Sequence, residues 1–374
     1  MEQTLHNLHI RVHNSCQAFP DTPLYLHGDF NQWHNTGHYL GTAPLPGQSK
    51  TFLIEGLSSG IQDFKLSRGS MQTVLASASG HQAGPVQAHI GKETQIEFHI
   101  NSWRDQYQPS TALAQVELLA ESFHFPSWNT SKRVWVYLPE QYHTSKDHFS
   151  VMYMHDGQYL FDESTAEGKA GQVEWGVDET IASSSFPSIV VGIESARGKQ
   201  RMQEYLLSPF QAITRAQGKA YLHDVVHTLK PYIDARYRTR PQPAYTAMAG
   251  SSLGGLLSLY AGMHYSEIFG TIGAFSPSLW MDGGMVLDMA RKPALPAYQQ
   301  YYIYAGGEER RKSEKYNSEM LLNAHKMAET LQENQAVSVL FDSRERGRHG
   351  AWYWQQAFPR FYALWTQRHL SDDS

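Results

Sequence analysis

Residues 246–262 read TAMAGSSLGGLLSLYAG: an apolar run, a turn of glycines and serines, then a second apolar run. Tyr245–Ala249 has the length and composition of a buried strand, and Gly254–His264 those of a helix. Between them, Gly250-Ser251-Ser252-Leu253-Gly254 fits G-x-S-x-G with Ser252 at its centre. A serine at the tip of so tight a turn has a strained backbone, and side chains two residues to either side would collide. That requirement favours Ser252 over Ser251, because the residue two before Ser251 is Ala249. The helix start also offers free N–H groups and a positive dipole end to an oxyanion formed beside Ser252. The competing reading is a glycine-rich junction without chemistry. The strand, the helix and a further glycine at Gly255 argue against it.

Outward from this turn, short apolar strand patterns alternate with amphipathic helical ones. The strands are KRVWVYLP, FSVMYMHDG, SIVVGIES, YTAMAGS, IFGTIGAFSP, QYYIYAGG and AVSVLFDS. The helical patterns are GKAYLHDVVHTLKPYIDARY, GGLLSLYAGMH, SEKYNSEMLLNAHKMAETLQEN and AWYWQQAFPRFYALWTQRHL. This alternation implies an α/β domain, a mostly parallel sheet covered on both faces. Leu5 to Tyr107 has a different grammar. LYLHGDFNQW, KTFLIEGL, QDFKLSRG and QIEFHI are short runs bounded by Gly, Ser or Asn, as in a β-sandwich. The polar stretch SWRDQYQPSTALAQ, 102–115, separates the two. The expectation is a small all-β, immunoglobulin-like sandwich over 1–107 and an α/β-hydrolase domain over 108–374. Two domains agree with 374 residues at ~150 residues each.

A serine hydroxyl needs a base, and in α/β-hydrolases the chain order is Ser, acid, His. After the strand QQYYIYAGG come Glu308 and Glu309, and either can be the acid; both can equally be solvated carboxylates at a helix start. After the last strand comes an Arg- and Gly-rich loop and then His349. The chain holds 19 histidines, so position rather than presence singles out His349. The second oxyanion N–H is expected after an early strand, where His155-Asp156-Gly157-Gln158 ends FSVMYMHDG. The N–H groups of Gln158 and Leu253 form the expected pair. All of these residues follow strands, on the edge where open α/β sheets bind ligands. Arg201, Glu204 and Tyr205, in RGKQRMQEYLLSPF, are candidates for the pocket wall or belong to a plain structural loop, and Trp175 can cover the cleft or fill the core.

With these residues in view, Val116 to Leu370 resembles the esterase family of α/β-hydrolases that includes enterochelin esterases, esterase D-like enzymes, feruloyl and acetylxylan esterases and mycolyltransferases. RVWVYLPEQY, YMHDGQYLFD, LKPYIDARYRT ahead of AGSSLGG, and GRHGAWYW carry the resemblance. It implies Ser252 as nucleophile, His349 as base, Gln158 as oxyanion donor and the Gly-Gly-Glu-Glu segment as the source of the acid. Many members have Asp after the glycines and some take the acid from the next helix, which leaves Glu319 as a distant option. LYLHGDFNQW and DFKLSRG in the first half are similar to early-set and glycogen-binding domains. Trp33 is read as a core or interface residue, with sugar stacking as the alternative.

The implied activity is a serine carboxylesterase working through an acyl-enzyme with no metal or organic cofactor. Its substrate is a small-molecule ester, with a siderophore ester as the leading candidate and Arg197, Arg201, Arg344, Arg346 and Arg348 as cations to meet it near the pocket. A carbohydrate esterase, an acyltransferase and a non-catalytic glucan-binding protein are the alternatives, and weak glycan binding by the first domain is an associated expectation. Net charge is −5 without a long basic run, which gives no support for nucleic acid or an anionic membrane as partner. Cys16 is the only cysteine, so no intrachain disulfide can form. No apolar run approaches the ~18 residues of a span and MEQTLHNLHI does not read as a signal peptide, so a cytoplasmic location is expected. His223 and His227, at i, i+4 without an intervening glutamate, read as helix-surface residues, and Asp282-Gly283-Gly284 as a turn rather than a calcium loop.

Overall fold

A computed structural model describes residues 4–168, 170–291, 298–309, 314–333 and 337–370. The chain forms two compact units, one of Met1–Thr111 with Asp162–Glu174 and one of Ala112–Phe161 with Trp175–Ser374. A single cut after residue 107 does not anticipate that Asp162–Glu174 belongs with the first unit. The reason is buried polar chemistry. Glu163 accepts from the Gln82 N–H at 2.8 Å and from Arg104 Nε at 2.5 Å, and the Thr111 hydroxyl donates to Glu174 at 2.8 Å.

In the first unit, strands β1 (Leu5–Asn14), β2 (Pro23–Gly28), β3 (His38–Thr42), β4 (Ser49–Ser58), β5 (Gly60–Ser67), β6 (Val86–Ile90) and β7 (Gln95–Ile100) form two sheets, ordered β4-β1-β7 and β3-β2-β5-β6. Alternate residues such as Leu8, Ile10 and Val12 of β1 and Ile96, Phe98 and Ile100 of β7 fill a common core. β1 pairs antiparallel with β4 and parallel with β7.

The second unit is built on one eight-stranded sheet. Its strands are β8 (Val116–Phe125), β9 (Thr130–Tyr137), β10 (Ser150–His155), β11 (Ser188–Ile193), β12 (Thr246–Ser251), β13 (Thr271–Phe275), β14 (Gln300–Gly306) and β15 (Ser338–Arg344), ordered β15-β14-β13-β12-β10-β11-β9-β8. The pairs from β15 to β11 are parallel, whereas the pairs β11–β9 and β9–β8 are antiparallel. Helices α1 (Gln141–Thr144), α2 (Val177–Ala182), α3 (Gly198–Tyr205), α4 (Gly218–Asp224), α5 (Lys230–Arg236), α6 (Leu253–His264), α7 (Met285–Ala290), α8 (Glu314–Glu333) and α9 (Ala351–Leu370) occupy the connections.

The sheet is buried on both faces, which is why its strands read as near-continuous apolar runs. Val151 and Tyr153 of β10 join the core beneath α3–α8, while Met152 and Met154 face α2 and α9. β8 has no counterpart among the strand patterns read from the sequence. It lies at the sheet edge with half its residues exposed, so its apolar content is diluted.

Candidate active site

Ser252 stands between β12 and α6 with φ 58° and ψ −119°, a conformation that L-residues rarely adopt. Its N–H donates to the Phe275 carbonyl at 2.8 Å, and its carbonyl accepts from the Ser278 N–H at 3.0 Å, so the neighbouring β13 edge holds the turn. The glycine requirement is one of space. A Cβ on Gly250 would lie 2.7 Å from Cδ2 of His155, and one on Gly254 would lie 3.1 Å from Cβ of His155. Ser251, the last residue of β12, is buried.

Glu309 follows β14 and is fully buried. One carboxylate oxygen, Oε1, accepts from the Ser276 hydroxyl at 2.5 Å and from the Gly306 N–H at 2.7 Å. The other, Oε2, lies 2.7 Å from Nδ1 of His349. A carboxylate only accepts, so the proton of this bond sits on Nδ1 and the lone pair of His349 is left at Nε2. That nitrogen is buried and has no hydrogen-bond partner. Of the two candidate acids, Glu309 is the one in contact with His349. Glu308 instead donates its N–H to the Gly347 carbonyl at 2.8 Å. Glu319 is exposed on α8.

The glycines ahead of the pair have their own reason. A Cβ on Gly306 would meet the Gly347 carbonyl oxygen at 2.2 Å, and one on Gly307 the Glu345 oxygen at 2.1 Å. Only a bare backbone there lets the 344–348 turn come down onto the end of β14 and deliver His349 to Glu309.

The Ser252 hydroxyl is not hydrogen-bonded to His349. Its partner is the Ser278 hydroxyl at 3.2 Å. Catalytic hydrogen bonds are often long without substrate. Three residues that the sequence did not bring forward complete this region: Ser276, Ser278 and Trp354. The Trp354 indole donates to Ser276 Oγ at 2.9 Å, and its ring meets that of His349 edge-on at 5.0 Å between centroids. Ser276, with φ 45°, thus accepts from Trp354 and donates to Glu309. The signal available in the sequence was Ser276-Pro277-Ser278 directly after β13, on the functional edge of the sheet.

The turn after β10 supplies the other wall. Asp156 has φ 59°, and Gly157–Tyr159 form a single 3-10 turn. The Gln158 side chain clasps Ser195, donating to its hydroxyl at 3.0 Å and accepting from its N–H at 3.1 Å. Leu253 is the first residue of α6, where N–H groups lack intrahelical acceptors. Arg201 grips Asp156 with two bonds, 2.6 and 2.7 Å. Burial alone would raise the Asp156 carboxyl, but the charge and hydrogen bonds of Arg201 outweigh it and the net shift is downward.

Two of the expected pocket-wall residues, Tyr205 and Glu204, are corrected, and Trp175 takes the core position among its two readings. Tyr205 has no exposed surface, and its hydroxyl accepts from the Asp156 N–H at 3.2 Å. Glu204 is also fully buried, forming an ion pair with Lys132. Trp175 is buried against Phe275, Trp354 and Phe358. Their apolar or paired surroundings make them supports behind the site. Arg201 is only partly exposed and is committed to Asp156. Behind Gly250, His155 faces the Tyr221 hydroxyl at 2.9 Å, and burial pulls its pKa down to about 4. His223 and His227 are exposed, with ring centroids 4.4 Å apart. Asp282 accepts from the N–H groups of Gly284 and Val286, both at 2.8 Å, and so tethers the start of α7. In the first unit, Trp33 is half-buried, and its indole donates to Asp29 at 3.1 Å.

A family model described as "Putative esterase" matches residues 126–363. Over 210 residues the chain is 27% identical to the uncharacterized protein YbbA of Bacillus subtilis (strain 168), covering 54% of this chain and 79% of that one. The structure is similar to that of the enterobactin esterase FES from Shigella flexneri, with a TM-score of 0.56 at 13% identity over 98% of this chain and 94% of that one. It is also similar to the siderophore hydrolase EstB from Aspergillus nidulans, with a TM-score of 0.53 at 19% identity over 67% of this chain and 95% of that one. At these identities the structural likeness is one of fold. Among the described residues no helix is long and apolar enough to cross a membrane.

Proposed function

The chain belongs to the Putative esterase family of α/β-hydrolases and is a carboxylic ester hydrolase, and on that premise we propose that it acts through an acyl-enzyme on Ser252, with His349 as proton carrier and Glu309 as its partner. The observation that carries this reading is the 2.7 Å bond between His349 Nδ1 and the buried Glu309 carboxylate. It fixes the tautomer that leaves Nε2 as the base and stabilises the imidazolium once a proton arrives.

The Ser252 hydroxyl exchanges its bond to Ser278 for one to Nε2 and gives up its proton as Oγ attacks the ester carbonyl carbon. The N–H groups of Leu253 and Gln158 receive the charge that develops on the carbonyl oxygen. The C–O bond to the leaving alcohol breaks, and that oxygen takes the proton from Nε2. Water then attacks the acyl carbon, returns a proton through Nε2, and the bond to Ser252 breaks to release the acid. With an alcohol in place of water, the same residues perform acyl transfer.

For the substrate we infer a siderophore-type ester. The similarity to an enterobactin esterase runs over both units of this chain. Arg346 and Arg348 lie on the loop leading to His349, where cations suit an anionic or metal-bearing ester. Fluorophosphonate labelling with peptide mapping tests the nucleophile: the label is expected on Ser252 and absent from Ser252→Ala. Labelling of Ser251 or Ser278 instead, or unchanged p-nitrophenyl acetate turnover by Ser252→Ala, overturns the mechanism. A panel of ferric catecholate trilactone, feruloyl-sugar and short acyl esters tests the substrate. Preference for the feruloyl-sugar would overturn the siderophore reading in favour of a carbohydrate esterase.

A further inference from the structure

A second group of metal-competent side chains stands on the first unit. In the parallel pair β1–β7, His13 is in register with His99 and Arg11 with Glu97. Side chains alternate along a strand, so Glu97 and His99 share the outward face of β7. One ligand atom from each of His13, Glu97 and His99 lies within 4.8 Å of the others. His13 Nε2 is 3.7 Å from Oε2 of Glu97, and the rings of His13 and His99 stack with centroids 4.7 Å apart.

The decisive detail is the far side of His13. Its Nδ1 bonds the Ser49 hydroxyl at 2.7 Å, while its Nε2 is buried and lacks a hydrogen-bond partner. With the Ser49 hydroxyl accepting, the proton lies on Nδ1 and the lone pair at Nε2, an arrangement that outer-sphere bonds favour in metal-binding histidines. Glu97 is prepared in the same sense. Gln95 donates to its Oε1 at 3.1 Å, and Oε2 is left toward His13.

We propose that His13, Glu97 and His99 bind one divalent transition-metal ion, Zn²⁺ foremost, and thereby clip β1 to β7. Two imidazoles and one carboxylate form a zinc donor set that leaves the fourth position to water. Glu97 and His99 also border a cavity of about 270 Å³. Stacked rings hold their lone pairs parallel, so the exposed His99 ring turns about its Cβ–Cγ bond to converge on the ion. Arg11, exposed and in register with Glu97, is the charge that opposes binding.

The test is titration of the full-length chain with Zn²⁺ and with Co²⁺, whose visible d–d absorption reports the ligand field. One equivalent is expected to bind, raise Tm and produce the Co²⁺ bands. His99→Ala and Glu97→Gln, both at exposed positions, should lose that equivalent while esterase turnover stays at the wild-type level. Ser49→Ala keeps the three ligands and should bind about 10-fold more weakly. The proposal fails if wild type shows no stoichiometric site. It fails equally if His99→Ala and Glu97→Gln bind Zn²⁺ as wild type does, or if Ser49→Ala binds with unchanged affinity.

Discussion

His155 ends β10 and His349 follows β15, and both have a buried Nε2 without a hydrogen-bond partner. They differ in what faces Nδ1. For His349 it is the Glu309 carboxylate at 2.7 Å; for His155 it is the Tyr221 hydroxyl at 2.9 Å. A carboxylate fixes the proton on Nδ1 and stabilises a ring that becomes cationic. A hydroxyl can donate or accept, and it carries no charge to offset burial. His155 accordingly stays neutral, its pKa pulled down to about 4 by burial ahead of every other influence. It fills space under the nucleophile turn. Closeness to that turn does not make a base; the partner on the other nitrogen does.

The strongest way to break this comparison is to remove the proposed base. His349→Ala should lower kcat by about 10⁴–10⁶-fold, read by steady-state turnover of a simple ester. A loss below ten-fold would transfer the role to another group. Next comes its partner. Glu309→Gln, which keeps the shape but admits the wrong tautomer, should cost about 10³–10⁴-fold in kcat. Glu308→Gln, which leaves the bond between Glu309 and His349 in place, should stay within about three-fold of wild type. Equal losses in the two variants would show that the charge of the segment matters and not the contact with His349.

The packing side of the comparison is probed at Gly250, where an added Cβ would sit 2.7 Å from the His155 ring. Gly250→Ala should destabilise by about 1–3 kcal/mol through overpacking, read by denaturant unfolding, and should slow turnover by disturbing Ser252. Unaltered stability would mean that the His155 ring can move aside. The smallest effect is the pH response of His155 itself. The unfolded chain protonates this imidazole near its ordinary 6.5, the folded chain only near about 4, so acid favours unfolding. The penalty is absent above pH 6.5, grows as pH falls towards about 4, and levels off at about 3 kcal/mol below that. In His155→Gln the gap in unfolding free energy between pH 7.5 and 4.5 should shrink by about 2–3 kcal/mol; an unchanged gap would place that proton uptake elsewhere.

Much of this architecture could be read from local pattern. The runs that became β9 to β15 are apolar because both faces of the sheet are covered, and the helices between them repeat on their own period. Ser252 was visible because its glycines answer a steric demand confined to five residues. His349 was visible through chain order alone. β8 was not, since an edge strand exposes half its surface and loses its apolar signature. Glu204 and Tyr205 were open between pocket wall and structural loop, and Trp175 between cleft cover and core, because an aromatic or charged residue near a cleft reads the same whether it lines the cleft or supports it.

Composition and periodicity, then, settled the β-rich first part, the α/β second part and the serine at the sharp turn, because those depend on interactions between residues near one another in the chain. The choice of Glu309 over its neighbour, the Ser276–Trp354 bracket around it, and the neutral packing role of His155 arose only on folding. Each depends on which way a side chain points where strands far apart in sequence end side by side, and no local pattern encodes that direction.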